Sequence, residues 1–96
     1  MVASFHDLAK VELNEAAQYY EQRSAGLGSA FVGEVERCTA VILEHPQAGA
    51  IVAGSIRRRM LQRFPYALLY RAKPEQLRIL AVMNLRRRPG YWIGRA

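Results

Sequence analysis

Apolar side chains recur along this chain at two different periods, and the switch between them comes near its middle. Ala9, Leu13, Ala16, Ala17 and Tyr20 recur at helical intervals, with Glu12, Glu15, Gln18 and Gln22 taking the other side. This spacing predicts an amphipathic helix, opened by Asp7 or His6, with the Asp7 carboxylate near the positive end of the helix dipole. It should close near Ser24-Ala25-Gly26, and Met1 to Phe5 before it reads as a short strand. Leu27, Phe31, Val35, Cys38 and Ile42 make a second apolar face, with Glu34, Glu36, Arg37 and Glu44 directed away. Pro46 ends that helix, because proline cannot continue the hydrogen-bond ladder. The short glycine-containing link predicts an antiparallel hairpin, with Tyr20, Phe31 and Cys38 in its core.

Gln47 to Ser55 reads as a loop, after which the period becomes that of extended chain. Strands are predicted at Ile56–Gln62, Tyr66–Arg71 and Gln76–Asn84, with Lys73-Pro74-Glu75 turning between the last two. Alternation in the last strand sets Leu77, Ile79, Ala81 and Met83 on one face and Arg78, Leu80, Val82 and Asn84 on the other. Its near-continuous apolar character marks a central strand covered on both sides. The order of elements implies an α+β fold: an N-terminal strand and an α-helical hairpin packed on a small antiparallel β-sheet. At 96 residues, one domain spanning 1–96 is expected.

Charge changes the picture more than composition does. Residues 1–50 hold seven acids against three bases, and residues 51–96 hold eleven bases against one acid, so halves of −4 and +10 make the overall +6. Twelve of the fourteen basic residues are arginine, whose planar fork suits phosphate, carboxylate and base stacking. An arginine excess confined to one half points to an anionic partner. One cysteine and two distant histidines give no disulfide and no metal-ligand cluster, so neither metal nor other cofactor is expected. Without an apolar leader or a membrane-length apolar run, the expected location is the cytoplasm.

The candidate binding residues fall into two clusters. Arg57 and Arg59 share one face of a strand, with Arg63 at the following turn; Arg86, Arg87 and Arg88 leave the last strand, with Tyr91 and Trp92 beyond. Both clusters are expected to converge on the sheet surface that the helices leave open, where they would suit nucleic acid or an acidic peptide equally. Trp92 is equally well placed to cap an open end of the core. Arg95, beside the terminus, reads as solvated. For catalysis there is no phosphate loop and no nucleophile triad. A metal-free nuclease would need arginines at the phosphate and a proton donor among Tyr66, Tyr70 and Tyr91.

These residues also carry a resemblance. Ala9…Glu12-Leu13…Ala16…Tyr19-Tyr20-Glu21, Gly26-Leu27-Gly28…Phe31…Glu34 and Pro46 are followed by Arg63-Phe64-Pro65-Tyr66…Tyr70 and Ile79-Leu80-Ala81-Val82…Arg86…Pro89…Tyr91-Trp92…Arg95. In that order the chain resembles, over nearly its whole length, the RelE/ParE superfamily of bacterial type II toxins. The resemblance implies a helical hairpin on an antiparallel sheet and a cognate antitoxin with an acidic C-terminal segment. It also implies one of two targets: mRNA on the ribosome for RelE-like members, DNA gyrase for ParE-like ones. Nuclease members often carry a basic residue after the tyrosine matched by Tyr66, where this chain has Ala67, and many carry histidine where it has Asn84. Arg63, Arg86 and Tyr91 remain matches for phosphate binding and proton transfer. Phe64-Pro65-Tyr66 and Pro89-Gly90-Tyr91-Trp92 are ParE-like, so the resemblance favours a gyrase inhibitor with a part in plasmid stabilization. An mRNA interferase, or a non-toxic member that only binds antitoxin, stays open as the alternative.

Overall fold

In the computed structural model, which describes residues 1–96, the two periods become a helical hairpin and one sheet. β1 (Val2–Phe5) leads into α1 (Asp7–Arg23) and α2 (Leu27–Glu44); β2 (Ala50–Ala53), β3 (Ile56–Met60), β4 (Tyr66–Ala72) and β5 (Gln76–Asn84) follow. The strands lie in the order β1-β5-β4-β3-β2. The fold is α+β, as the element order predicts. Its sheet is mixed, because β1 pairs parallel to β5 while every other neighbour pairs antiparallel. Apolar β5 lies inside the sheet, between β1 and β4.

Local chemistry explains the hairpin. His6 caps α1, its Nδ1 accepting the Leu8 N–H at 3.0 Å. Glu21 does the same for α2 from a distance, its two carboxylate oxygens accepting the N–H groups of Gly26 and Gly28 at 2.9 Å each. Those two backbone bonds, the Gly26 one first, hold the Glu21 carboxyl below its ordinary range. Gly28 is required by the close approach of the helices, since a Cβ there would lie 2.5 Å from the Ala17 carbonyl oxygen.

Besides the parallel pairing of β1, where an antiparallel sheet was expected, two details depart from the sequence reading. The segment read as a loop contains β2, an edge strand whose four residues are all exposed, so no burial pattern marks it. In β5 the alternation breaks: Leu69 pairs with Ala81 but Tyr70 with Ile79, a bulge that leaves Leu80 unpaired. Leu80 and Ala81 therefore both face away from the helices, and Val82 faces toward them with Leu77 and Ile79.

The core accordingly has two parts. Phe31, Val35 and Ile42 of α2 meet Leu68, Tyr70, Leu77 and Ile79 on the helix side. Tyr20, Phe31, Phe64 and Tyr66 form an aromatic cluster there, with Tyr20 and Phe64 ring centroids 4.7 Å apart. On the opposite side Trp92 packs on Ile56, Leu69, Leu80 and Ala81. Tyr70 is fully buried, and its hydroxyl donates to the Pro46 carbonyl at 2.8 Å and accepts the Gly49 N–H at 3.0 Å. A Cβ on Gly49 would come within 2.6 Å of that hydroxyl, so glycine is required where this loop meets the sheet. No helix is long and apolar enough to cross a membrane.

Candidate functional site

β1 covers β5 only as far as Ile79. Beyond it, the edge of β5 would present a bare Leu80 carbonyl and a bare Val82 N–H. Arg95 Nη1 donates to Leu80 O at 3.0 Å, and Glu12 Oε1 accepts the Val82 N–H at 3.0 Å. The two side chains also bind each other, Nη1 to Oε1 and Nη2 to Oε2, both at 3.0 Å. With 11% and 16% of their side chains exposed, they form a largely desolvated, two-pronged pair. Glu12 Oε2 accepts a further bond from the Tyr91 hydroxyl at 2.8 Å. An acid–base pair thus replaces the missing strand and fixes the C-terminal turns over the sheet.

Beside this clasp runs a cleft of about 540 Å³. α1 supplies Glu15, Tyr19 and Tyr20; Pro65 precedes β4 and Tyr66 opens it; Asn84 ends β5, with Arg86 and Arg87 just beyond. The Arg87 guanidinium lies 4.1 Å from the Tyr91 ring centroid and that of Arg95 5.1 Å. The phenol of Tyr91 is held well above its usual range. Burial is the largest cause, then the bond to Glu12 and its charge, against the pull of Arg95 and Arg87. For Arg95, burial works against the charge, but Glu12 outweighs it and raises the guanidinium further. The cleft therefore offers a cationic lip (Arg86, Arg87) over an aromatic wall, and its phenol keeps its proton.

The structure divides the predicted binding residues instead of gathering them. Arg57 and Arg59 do share a face of β3, opposite Tyr70 and Leu68, but that face is the helix side. Ile56 takes the other side, and Trp92 covers it. Arg57 Nη1 is spent on the carbonyls of Gly49 at 2.8 Å and Gln47 at 3.3 Å, steadying the loop before β2. Arg59 and Arg63 line a separate hollow between α2 and β3. Arg86 and Arg87 line the α1 cleft; Arg88 is exposed at its outer margin. Trp92, at 8% exposure, is core, so its ring is placed for packing and not for a partner.

Three functional groups escaped the sequence reading. Glu12 and Glu34, assigned to solvent, are turned inward, and Arg95 is ion-paired rather than solvated. Glu34 Oε1 accepts the backbone N–H groups of Gln62 and Arg63 at 2.6 and 2.7 Å, fixing the turn into β4. Spacing held the signal, because Glu12 lies three residues after Ala9 and four before Ala16, and Glu34 three after Phe31 and four before Cys38. Both are positions on the buried stripe.

The fold agrees with what known proteins show. A family model described as the ParE toxin of type II toxin-antitoxin system, parDE, matches residues 3–89. The chain belongs to the ParE toxin family. Among solved structures, a chain of the chromosomal ParDE TA system from P. aeruginosa superposes with a TM-score of 0.73 at 18% identity. The match covers 88% of this chain and 95% of that one, and it is a likeness of fold. No curated protein matches the chain at a significant level. As a ParE family member this is a toxin of the type II class.

Proposed function

We propose that this ParE-family toxin inhibits DNA gyrase by binding it, and that a cognate antitoxin with an acidic segment neutralises it. Residues 1–96 act as one domain, in the cytoplasm, without a cofactor. The observation that carries the choice of inhibitor over nuclease is the division of the candidate catalytic groups. Arg63 lines the α2–β3 hollow, whereas Arg86 and Tyr91 line the α1 cleft. The Tyr91 hydroxyl is already bonded to Glu12, with its pKa moved away from the range a proton donor needs at neutral pH. Ala67, where nuclease relatives often have a basic residue, is fully buried, and the Asn84 side chain accepts the Arg86 N–H at 2.9 Å to close a turn. What remains is a surface for docking.

Its electrostatics fit a protein partner. Of twelve arginines only Arg95 sits in an ion pair, and the guanidiniums of Arg86, Arg87 and Arg88 donate no hydrogen bond within the protein, so these three are free to meet carboxylates. Arg86, Arg87 and Arg88, with Tyr19 and Tyr66 behind them, form the contact surface, for the target and the antitoxin alike. An acidic segment laid along that surface blocks the target by competition, and its association slows as salt screens the charges.

The test runs gyrase supercoiling and ribosome-dependent mRNA cleavage side by side, with wild type and Tyr91→Phe. Inhibited supercoiling, intact mRNA and inhibition that survives Tyr91→Phe are expected. Removing a catalytic proton donor would cost on the order of 10²–10⁴ in rate. Cleavage that Tyr91→Phe abolishes would establish the nuclease instead.

A further inference from the structure

The hollow between α2 and β3 holds a constellation that target docking leaves unused. Arg37 of α2, Arg59 of β3 and Arg63 of the following turn line one cavity of about 300 Å³. None of the three is in an ion pair. The arginine side chains that donate hydrogen bonds within the protein are Arg57, Arg71, Arg78 and Arg95. Three arginines therefore line one hollow, and none of their guanidiniums spends a donor inside the protein. Like charges gathered without a partner repel one another, and a fold tolerates them where something else supplies the counter-charge.

The hollow is also built, not merely charged. Its one acid, Glu34, is 6% exposed and gives its Oε1 to the N–H groups of Gln62 and Arg63, so it positions the turn that carries Arg63. The Arg63 guanidinium rests over the Phe64 ring, 5.4 Å from its centroid. Arg59 is half-buried against Cys38, whose thiol burial pushes up while the Arg59 charge draws it down. Val41, Met60 and Leu61 add apolar surface to the lining, while Arg37 and Arg63 are themselves exposed.

We propose that this hollow binds a phosphate monoester, carried by a small phosphorylated metabolite or by the terminal phosphate of a nucleic acid. Three arginines and Glu34 give the cavity a net charge of +2. A phosphate monoester carries about −1.5 to −2 at neutral pH and presents three strong acceptor oxygens. The forked guanidiniums suit those oxygens in two-pronged contacts. A single carboxylate would leave one positive charge unmatched. The volume lies at the small end of ligand cavities and suits a phosphate with a sugar-sized group attached. This site is separate from the α1 cleft and holds whichever target that cleft engages.

The experiment titrates the purified chain at about 150 mM salt, where non-specific attraction is screened. Inorganic phosphate, ribose 5-phosphate, a short oligonucleotide with and without a terminal phosphate, and a glutamate-rich peptide are added in turn, following the arginine side-chain N–H signals by NMR. Saturable shifts of Arg37, Arg59 and Arg63 with phosphate and ribose 5-phosphate are expected, with Arg86 and Arg87 unmoved. Arg59→Gln, and independently Arg37→Gln on exposed helix surface, should each weaken binding by about tenfold, the loss of one charge-assisted contact. A phosphorylated oligonucleotide binding at least tenfold tighter than ribose 5-phosphate assigns the ligand to nucleic-acid ends; equal affinity assigns it to a small metabolite. The proposal falls if phosphate fails to saturate, if Arg86 and Arg87 shift equally, if the glutamine variants bind unchanged, or if the peptide binds as well as phosphate.

Discussion

On the helix side of the sheet thirteen buried side chains pack around Phe31, Leu68, Tyr70 and Ile79; on the other side there are five, under a cover made of turns. The first face is closed by area. Two helices lay continuous apolar stripes on it, and burial at about 25 cal/mol per Å² is enough to hold them. The second face is too small for that. Residues 85–96 form no helix or strand, and they contribute one large buried side chain, Trp92. Polar contacts help to hold them: the Tyr91 hydroxyl and Arg95 bind Glu12, and Glu12 and Arg95 also complete the edge of β5 where β1 stops. A small domain can thus cover a second face with polar contacts, provided that the backbone groups at a broken sheet edge give those contacts a purpose.

The largest effect should come from the face closed by area. Phe31 is fully buried and stacks with Tyr20, Phe64 and Tyr66. Phe31→Ala removes the centre of that cluster and should cost about 3–5 kcal/mol, read from the midpoint of urea unfolding. Loss of the whole fold in one transition is expected, because both helices and the sheet meet at this ring. An unchanged midpoint would mean that the aromatic cluster is not where the helix face draws its stability.

How far each face was legible in the sequence follows from the same contrast. Area-driven packing writes itself as periodicity, so Leu27, Phe31, Val35, Cys38 and Ile42 gave α2 its buried face correctly. The clasp is polar, and hydropathy assigns Glu12, Glu34 and Arg95 to solvent. Only their helical spacing, on the stripe rather than opposite it, marked the glutamates, and Arg95 had no local signal at all, since its partner lies 83 positions away. The bulge at Leu80 hid the face assignments of β5, because an uninterrupted apolar run looks the same with one residue slipped. The arginine clusters were legible as charge but not as surface. Arg57 and Arg59 share a face, as alternation requires, yet which face depended on Trp92 folding back over Ile56.

A middle-sized effect should separate the two covers. Glu12→Gln keeps the shape but leaves Arg95 desolvated without a counter-charge, which should cost about 2–3 kcal/mol. Trp92 is the only tryptophan, so its emission reports directly on the second face. A red shift in Glu12→Gln, with faster hydrogen exchange at Val82 N–H, is expected before global unfolding begins. In Phe31→Ala the emission should instead change only as the whole chain unfolds. Should Trp92 in Glu12→Gln stay as protected as in wild type, the second face is held by area after all, and the contrast between the faces collapses.

The smallest effect lies in the Tyr91 hydroxyl, and alkaline pH isolates it. The phenol is held above its ordinary value of 10.0, by burial first and then by Glu12. A folded-state pKa above the unfolded one means that the contribution is complete below about pH 10 and is lost as pH rises through the folded value. Tyr20 is raised in the same sense, by burial and then by Tyr66 and Tyr19. Cys38, raised by burial from 9.0, starts its own decline near that pH. The urea midpoint should therefore hold from pH 7 to about 8.5 and fall above it, with the phenols joining above about 10. Tyr91→Phe removes one hydrogen bond and should cost about 1 kcal/mol at neutral pH, since Arg95 still occupies both oxygens of Glu12. Cys38 and Tyr20 titrate identically in both proteins, so the gap between wild type and Tyr91→Phe reports Tyr91 alone. That gap should be constant up to about pH 10 and close above it, as the wild-type phenol is forced to ionise against Glu12. A gap that stays open at high pH would mean that the hydroxyl stabilises the turns by packing and not through its proton.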